Sequence, residues 1–282
     1  MKKGFTARNW KLKLLGHPQE DSYSIDKENG IFSVADGVTR DPLLYLPDIT
    51  TLSGKLKFIR NYPKQSPAKI AADIFCNFFP LVLSDFLDKN EHAMRVAFEE
   101  SNKRIGEWNK ENIPNSDYLL NDFAGCVSAG MSINDGVISW GYLTDCGMAI
   151  LNENGDVKFR TENQGPDKYD KHIWKDKRLI GFDWRNPRTR KIIRKHYRNN
   201  PEEKSSFGVL TGEETAMDYV RTGRQEISPQ DYLLVYSDGL EPIIFSGQFA
   251  DMIRKQNVGG MEKLCKKNVK TEGTLIISRP GP

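Results

Sequence analysis

The sequence predicts an α+β fold, two packed antiparallel β-sheets flanked by helices, in one domain spanning residues 1–282. Three observations carry that reading. Strand-like runs come in pairs joined by short polar turns, two helical patterns separate the first pair from the others, and strands never alternate regularly with helices as a parallel doubly wound sheet would require. A chain of 282 residues also buries enough surface for one large core, even at a hydrophobic fraction of 38%.

Residues 22–25 and 30–35 read as two short strands across the turn 26–29. The stretch 43–67 has three prolines and little periodicity, so a long surface connection is expected. From residue 68, Ile70, Ile74, Phe75, Phe78 and Phe79 fall on one helical face, and Pro80 reads as an interruption before Leu81, Val82, Phe86 and Leu87 continue the apolar face. A second helix over 91–108 would pack Met94, Ala97, Phe98 and Ile105 inward. Residues 124–133 and 136–144 form a hairpin pattern around Asp135-Gly136, a strong turn signal. A further strand pair spans 146–151 and 157–161. The polar, basic and poorly periodic stretch 162–204 reads as a flap-like insertion over one face. Regular structure resumes with a strand at 232–236, helices at 249–255 and 262–267, and a last strand at 275–278.

Composition excludes several classes of function. The 41 Lys+Arg and 38 Asp+Glu leave a net charge of only +3, too even to argue for nucleic acid or membrane binding. No run of eighteen apolar residues is present, and the basic start Met1-Lys2-Lys3 is not followed by a stretch resembling a signal peptide. Cys76, Cys126, Cys146 and Cys265 form no Cys-x-x-Cys pair, and only four histidines accompany them. A zinc site is not expected; buried thiols in a reducing cytoplasm are.

The chemistry is carried by acids at strand ends. Glu20-Asp21 precedes the first strand, Asp36-Gly37 follows the second, Asp145 follows 140–144, and Asp238-Gly239 follows 233–237. Such acids lie at the rim of a sheet. Gathered there, they would repel one another and take up protons unless a divalent cation relieved the repulsion, and hard oxygen ligands suit magnesium or manganese. Gly37 and Gly239 would let a backbone carbonyl approach the ion. Asp135-Gly136, in contrast, reads as a plain turn. Ser22 and Ser237 lack any nucleophile-elbow context.

Glu20-Asp21-Ser22, then Val34-Ala35-Asp36-Gly37, then Asp231 through Ser237-Asp238-Gly239-Leu240 resemble the successive signatures of the protein phosphatase 2C family. Between them, Ala124-Gly125-Cys126-Val127 resembles the family's Gly-Thr-Thr strand. Leu143-Thr144-Asp145-Cys146-Gly147 resembles its Gly-Asp-Ser-Arg turn, and Phe207 through Gly212 is similar to the segment before the Ser-Asp-Gly strand in bacterial members. The matches keep the family's order from about residue 16 to 278.

The resemblance implies an α-β-β-α sandwich that hydrolyses phosphoserine or phosphothreonine on protein substrates with two magnesium or manganese ions. It would make Asp36 the carboxylate bridging both ions, with Glu20 and the Gly37 carbonyl on one and Asp238 on the other. Asp21 would hold the attacking water, and Asp145 would join Asp238 around a weaker third ion. Three departures stand out. The family's closing metal-binding aspartate falls on Thr271, a poor ligand, and Glu272, one residue beyond and longer, is the candidate to reach the ion or its water. Its phosphate-binding arginine falls on Gly16, leaving His17, Lys13 or Arg40 as substitutes. Thr144-Asp145-Cys146-Gly147 keeps only the acid of its turn. A pseudophosphatase acting as a binding or regulatory module is therefore the second expectation, and a hydrolase of small phosphate esters the third. The basic run 185–198 reads as a solvated face or mobile flap, and neither His172 nor His196 has a partner at ligand spacing.

Overall fold

The structure is a computed structural model and is described for residues 1–14, 16–38, 51–113, 122–166, 173, 175–176 and 187–280. Ten strands form two five-stranded antiparallel sheets. In the first sheet the order is β1 (Lys2–Arg8), β10 (Glu272–Ser278), β9 (Tyr232–Tyr236), β6 (Gly147–Leu151) and β7 (Val157–Arg160). In the second it is β2 (Ser22–Asp26), β3 (Ile31–Gly37), β4 (Cys126–Asn134), β5 (Val137–Leu143) and β8 (Arg221–Glu226).

Alternation along the strands assigns the layers. Phe32 and Val34 of β3 face the other sheet and meet Met148, Ile150, Leu233, Val235 and Ile276 in the inter-sheet core. Ile31 and Ala35, on the opposite face, pack under helices α3 (Pro67–Ser84) and α4 (Glu91–Asn112), against Phe75, Phe79, Met94 and Phe98. The outer face of the first sheet, with Leu234, Tyr236 and Leu275, is covered by Phe249 of α7 (Gly247–Arg254) and Met261 and Cys265 of α8 (Val258–Asn268). The short α6 (Glu241–Ile244) completes this outer layer. The four layers are helix, sheet, sheet, helix. All four cysteines are buried and free.

Several expectations are corrected. Proline does not end the first long helix: α3 runs to Ser84 with Pro80 inside it. The missing hydrogen bond costs about 3 kcal/mol, but Phe75, Phe79, Pro80 and Leu83 are all buried on one face, and each large side chain so buried gains roughly 1.5–3 kcal/mol. The 43–67 connection contains α2 (Leu52–Asn61), whose N-cap Thr51 accepts from Gly54 N–H at 3.0 Å. A short helix α1 (Trp10–Leu14) follows β1. The unnoticed strands β1 and β8 are sheet edges rich in charged and polar residues, a composition that blunts edge-to-edge pairing and hides the period-2 signal. The hairpin at 134–137 is as expected, with Asp135 at φ 46° and Gly136 at φ 76°, both left-handed as a tight hairpin demands.

The basic run is only in part a solvated face: Arg188, Lys191 and Lys195 are exposed, but three of its arginines are not. It forms α5 (Pro187–His196), and Arg190, Arg194 and Arg198 are each about 5% exposed or less. Arg190 and Arg194, one turn apart, lie on one side of the helix, and Arg194 and Arg198, the latter just past its end, reach Asp122 at 3.3 and 2.8 Å. Ile193 and Tyr197 enter the inter-sheet core. Aliphatic stems and an internal carboxylate explain why a stretch so basic can be buried.

Of the described helices, α3 alone is long and apolar enough to cross a membrane by length and composition, and half of it is buried in this protein, against the sheet.

Candidate metal centre

One rim of the sandwich collects the acids, and strand register explains how. Ser22 pairs with Ala35 in the β2–β3 ladder, so the next residues outward, Asp21 and Asp36, lie across from each other at the open end. The other sheet ends at the same rim. Ser237 N–H donates to the Thr274 carbonyl at 3.0 Å, and Thr274 N–H donates to Ser237 Oγ at 2.9 Å, holding the Ser237-Asp238-Gly239 turn against the start of β10. A Cβ on Gly239 would sit 1.7 Å from the Glu272 carbonyl oxygen, so only glycine permits this approach. Gly37 has the same requirement: a Cβ there would lie 2.6 Å from the Ala68 backbone at the start of α3.

The result is a triad. Carboxylate oxygens of Asp21, Asp36 and Glu272 all lie within 4.8 Å of one another. Asp21 is fully buried. Its Oδ2 accepts from Ser237 Oγ at 2.7 Å, while its Oδ1 is buried with no hydrogen-bond partner among the described residues. Burial, and then the charges of Asp21, Asp238, Asp145 and Glu272, push the Asp36 carboxyl well above the usual range. Burial lifts Asp21 to about 6 against the opposing Ser237 hydrogen bond. Burial and the nearby Asp21 charge lift Glu272 to about 8. Like charges held together in a low-dielectric rim take up protons unless a cation intervenes.

Asp145 lies where the chain crosses from β5 in one sheet to β6 in the other. Thr144, just before it, has φ 66°, a costly conformation for a β-branched residue. Its hydroxyl donates to the Gly208 carbonyl at 2.5 Å and its carbonyl accepts from Gln164 N–H at 2.8 Å, which together hold the strained turn. Asp145 and Asp238 stand outside the triad, near enough for their charges to act on Asp36. A pocket of about 270 Å³ opens beside Thr144, lined in part by Lys204, Ser206 and Arg221; it is a shelf next to the rim and does not enclose the triad.

The Glu20 carboxylate is held elsewhere. Its Oε1 accepts from Tyr62 Oη at 2.6 Å and from Ser66 Oγ, the N-cap of α3, while its backbone N–H donates to Glu272 Oε2 at 3.0 Å. His17 is half-buried, with its ring stacked on Tyr62 at 4.8 Å. Thr271 is exposed, and its carbonyl accepts from Asn9 N–H. Glu272, not Thr271, brings its carboxylate to the triad. Arg40 and His172 lie outside the described residues, as does much of the 162–204 stretch.

Two positioning groups escaped the sequence reading. One is Ser237, whose signal was its place directly before Asp238-Gly239. The other is Lys69 in the first turn of α3. Its Nζ donates to the Asp21 carbonyl at 3.0 Å and to Asp73 Oδ1 at 2.8 Å, and Asp73 in turn accepts from Ser22 Oγ at 2.7 Å. No local motif marks that contact.

The donor set fits a hard divalent cation. Every donor is oxygen, the carboxylates converge, and a buried Asp21 oxygen has no partner. The nearby thiols offer no competing soft site: burial, reinforced by surrounding acids, pushes Cys146 well above its usual range, and Cys126 likewise.

This layering of two antiparallel five-stranded sheets between helices is the fold of the serine/threonine phosphatases of the protein phosphatase 2C type. Solved structures similar to the chain include the serine/threonine phosphatase PstP/Ppp of Mycobacterium tuberculosis, with a TM-score of 0.64 at 13% identity over 100% of this chain and 99% of that one. The catalytic domain of PstP in complex with two manganese ions gives 0.63 at 12% identity, covering 100% and 98%. RsbX in complex with magnesium gives 0.52 at 10% identity, covering 98% and 92%. No family model and no curated protein matches the sequence.

Proposed function

We propose that this protein is a metal-dependent phosphatase that hydrolyses phosphoserine or phosphothreonine on protein substrates. The observation that carries the reading is the Asp21–Asp36–Glu272 triad with its buried, unpartnered Asp21 Oδ1. The manganese in a structure of the same fold supports it. Asp36, Glu272 and Asp238 would hold magnesium or manganese, with the Gly37 carbonyl, Glu20 and Asp145 at the margin. Bound there, such ions would supply an activated water at neutral pH and offset the charge of the phosphoryl group.

The protein's own residues have the remaining tasks. Ser237 fixes one Asp21 oxygen, which leaves the other to accept a proton from the attacking water. Lys69, bonded to the Asp21 carbonyl, fixes the backbone behind that carboxylate. Glu272 takes over the ligand role that Thr271 lacks the chemistry to fill. Gly16 brings no side chain to the phosphoryl group, so His17 and Arg40 remain the proposed substrate-binding residues. The chain acts as one catalytic domain with 162–204 as its variable flap, and the four free, buried cysteines agree with a cytoplasmic setting.

The test is hydrolysis of para-nitrophenyl phosphate and of a phosphothreonine peptide with added manganese. Both should proceed, and Asp36→Asn or Asp238→Asn should abolish both. Turnover indifferent to these substitutions sinks the mechanism.

The exposed Thr271 and the bare Gly16 favour a second reading, a pseudophosphatase that serves as a binding module. Calorimetry separates the two: a catalytic rim takes up two manganese ions, a degenerate one takes up one or none.

A further inference from the structure

Beside the acidic rim lies a surface of opposite charge. Residues 10–17 and 51–65 contain Lys11, Lys13, Lys55, Lys57, Arg60 and Lys64, and no acid at all. All six cations are exposed, and none forms an ion pair among the described residues. Interleaved with them are the largest exposed apolar side chains of this region: Trp10 at 66%, Leu14 at 78%, Leu52 at 75% and Leu56 at 59% exposure. Single exposed apolar residues are ordinary, but four on two helices linked through His17 and Tyr62, edged by cations without a counter-ion, have the composition of a contact surface.

The two stretches are linked to each other and to the rim by a chain of contacts. His17 N–H donates to the Leu12 carbonyl at 3.1 Å and so closes α1. The His17 ring stacks on Tyr62, which follows α2 and packs at 4.9 Å on Phe58 within it. Tyr62 donates to Glu20, and Glu20 N–H donates to Glu272 in the triad. The helices α1 and α2 thus flank the entrance to the acidic rim on the side of Glu20.

We infer that α1 and α2 form a docking surface for an acidic segment of the substrate protein, one whose phosphorylated residue is flanked by Asp or Glu and by an apolar side chain. The inference rests on the phosphatase reading above and deepens it by naming the substrate class. Charge complementarity carries it. A phosphoresidue flanked by acids brings about −1.5 to −2 charges and those of its neighbours, so a field of lysines beside the rim steers the segment in and holds it in register. The exposed Trp10, Leu14, Leu52 and Leu56 give that segment's apolar residue a place to bury. An anionic membrane would also meet lysine and tryptophan, but it would turn the rim toward lipid headgroups and away from a protein-borne phosphate.

Two synthetic phosphothreonine peptides test the inference, one with flanking Glu and Leu and one with Gln and Ser in their place. The 282-residue chain with manganese should turn over the acidic peptide at least tenfold more efficiently in kcat/KM, through KM, with the preference fading as salt rises. The triple variant Lys55→Glu/Lys57→Glu/Arg60→Glu should bring the ratio to near unity, and Trp10→Ala/Leu56→Ala should reduce it severalfold. A parallel arm needs no catalysis: fluorescence anisotropy should show the unphosphorylated acidic peptide binding to Asp36→Asn and released from that variant when the triple charge reversal is added. Binding without any phosphate hydrolysis would uphold the docking surface while overturning the phosphatase reading. Equal treatment of both peptides, with no charge-dependent binding, overturns the docking surface. So does the result in which phosphatidylserine vesicles, and not the peptide, are bound by the wild type and released by the charge reversal.

Discussion

At the rim, Asp21, Asp36 and Glu272 bring three carboxylates together; on α5 and just past its end, Arg190, Arg194 and Arg198 bring three guanidinium groups under cover. Two of them, Arg198 and Arg194, share an internal counter-charge, Asp122, at 2.8 and 3.3 Å. Among the described residues the acids have hydroxyl and backbone donors but no cationic group bonded to their carboxylates, and burial, with the charges of neighbouring acids, pushes their carboxyls upward. A like-charge cluster whose balance is built in supports the fold; one left to be balanced from outside marks a binding site. The difference lies in the partner, not in the degree of burial.

The largest effect expected of a substitution is at the acidic cluster. Asp36→Asn should lower manganese-dependent turnover on the order of 10³-fold, as loss of a group acting on transition-state charge does. The same substitution should raise the metal-free melting temperature, because it removes one of the repelling charges. A fall in stability would break the contrast drawn above.

At the arginine cluster, Asp122→Ala should destabilise by about 3–5 kcal/mol, the cost of stranding buried charge, read as a lower urea midpoint at unchanged slope. A loss under ~1 kcal/mol would show that Asp122 is not the balancing group.

Ser237→Ala should cost about 1–3 kcal/mol in stability through its two buried hydrogen bonds. As a positioning residue for Asp21, it should also displace the acidic limb of the pH–rate profile, which a purely structural role would leave in place.

The smallest effect is one of pH. Glu272, raised to about 8, and Asp21, raised to about 6, keep their protons in the folded metal-free protein at pH values where the unfolded chain has lost them. Stability of the metal-free protein should therefore fall as pH rises from about 4 toward 8. Manganese must displace those protons, so the melting shift it produces should be larger at pH 8 than at pH 6. A shift equal at both values would mean that the triad is not where the ion binds.

Much of this was legible in the sequence. Asp36 and Asp238 announce themselves because a continuously buried strand ends on an acid and a glycine, and the two buried faces of β3 declare a layer on each side. Glu272 was legible only as an approximation, one position from the aspartate the family resemblance led us to expect; which residue of the pair turns inward depends on where β10 begins its pairing with β1. Lys69 and Tyr62 were invisible, since each reaches the site from a segment tens of residues away and carries no local pattern. The edge strands β1 and β8 and the helix α5 were missed for one reason. All three are polar by composition, and their burial or pairing is decided by what the rest of the chain places beside them.

The chain supplies Asp21 and Asp36 from one sheet and Glu272 and Asp238 from the other, with Asp145 on the strap between. Any ion that binds all of them rivets the two layers together at one end, so its grip depends on how far apart the sheets stand. Trimming a single methylene deep in the sandwich, for instance Ile150→Val, would then loosen metal affinity without touching a ligand. The hydrophobic filling between the sheets acts as the calliper that gauges the cation.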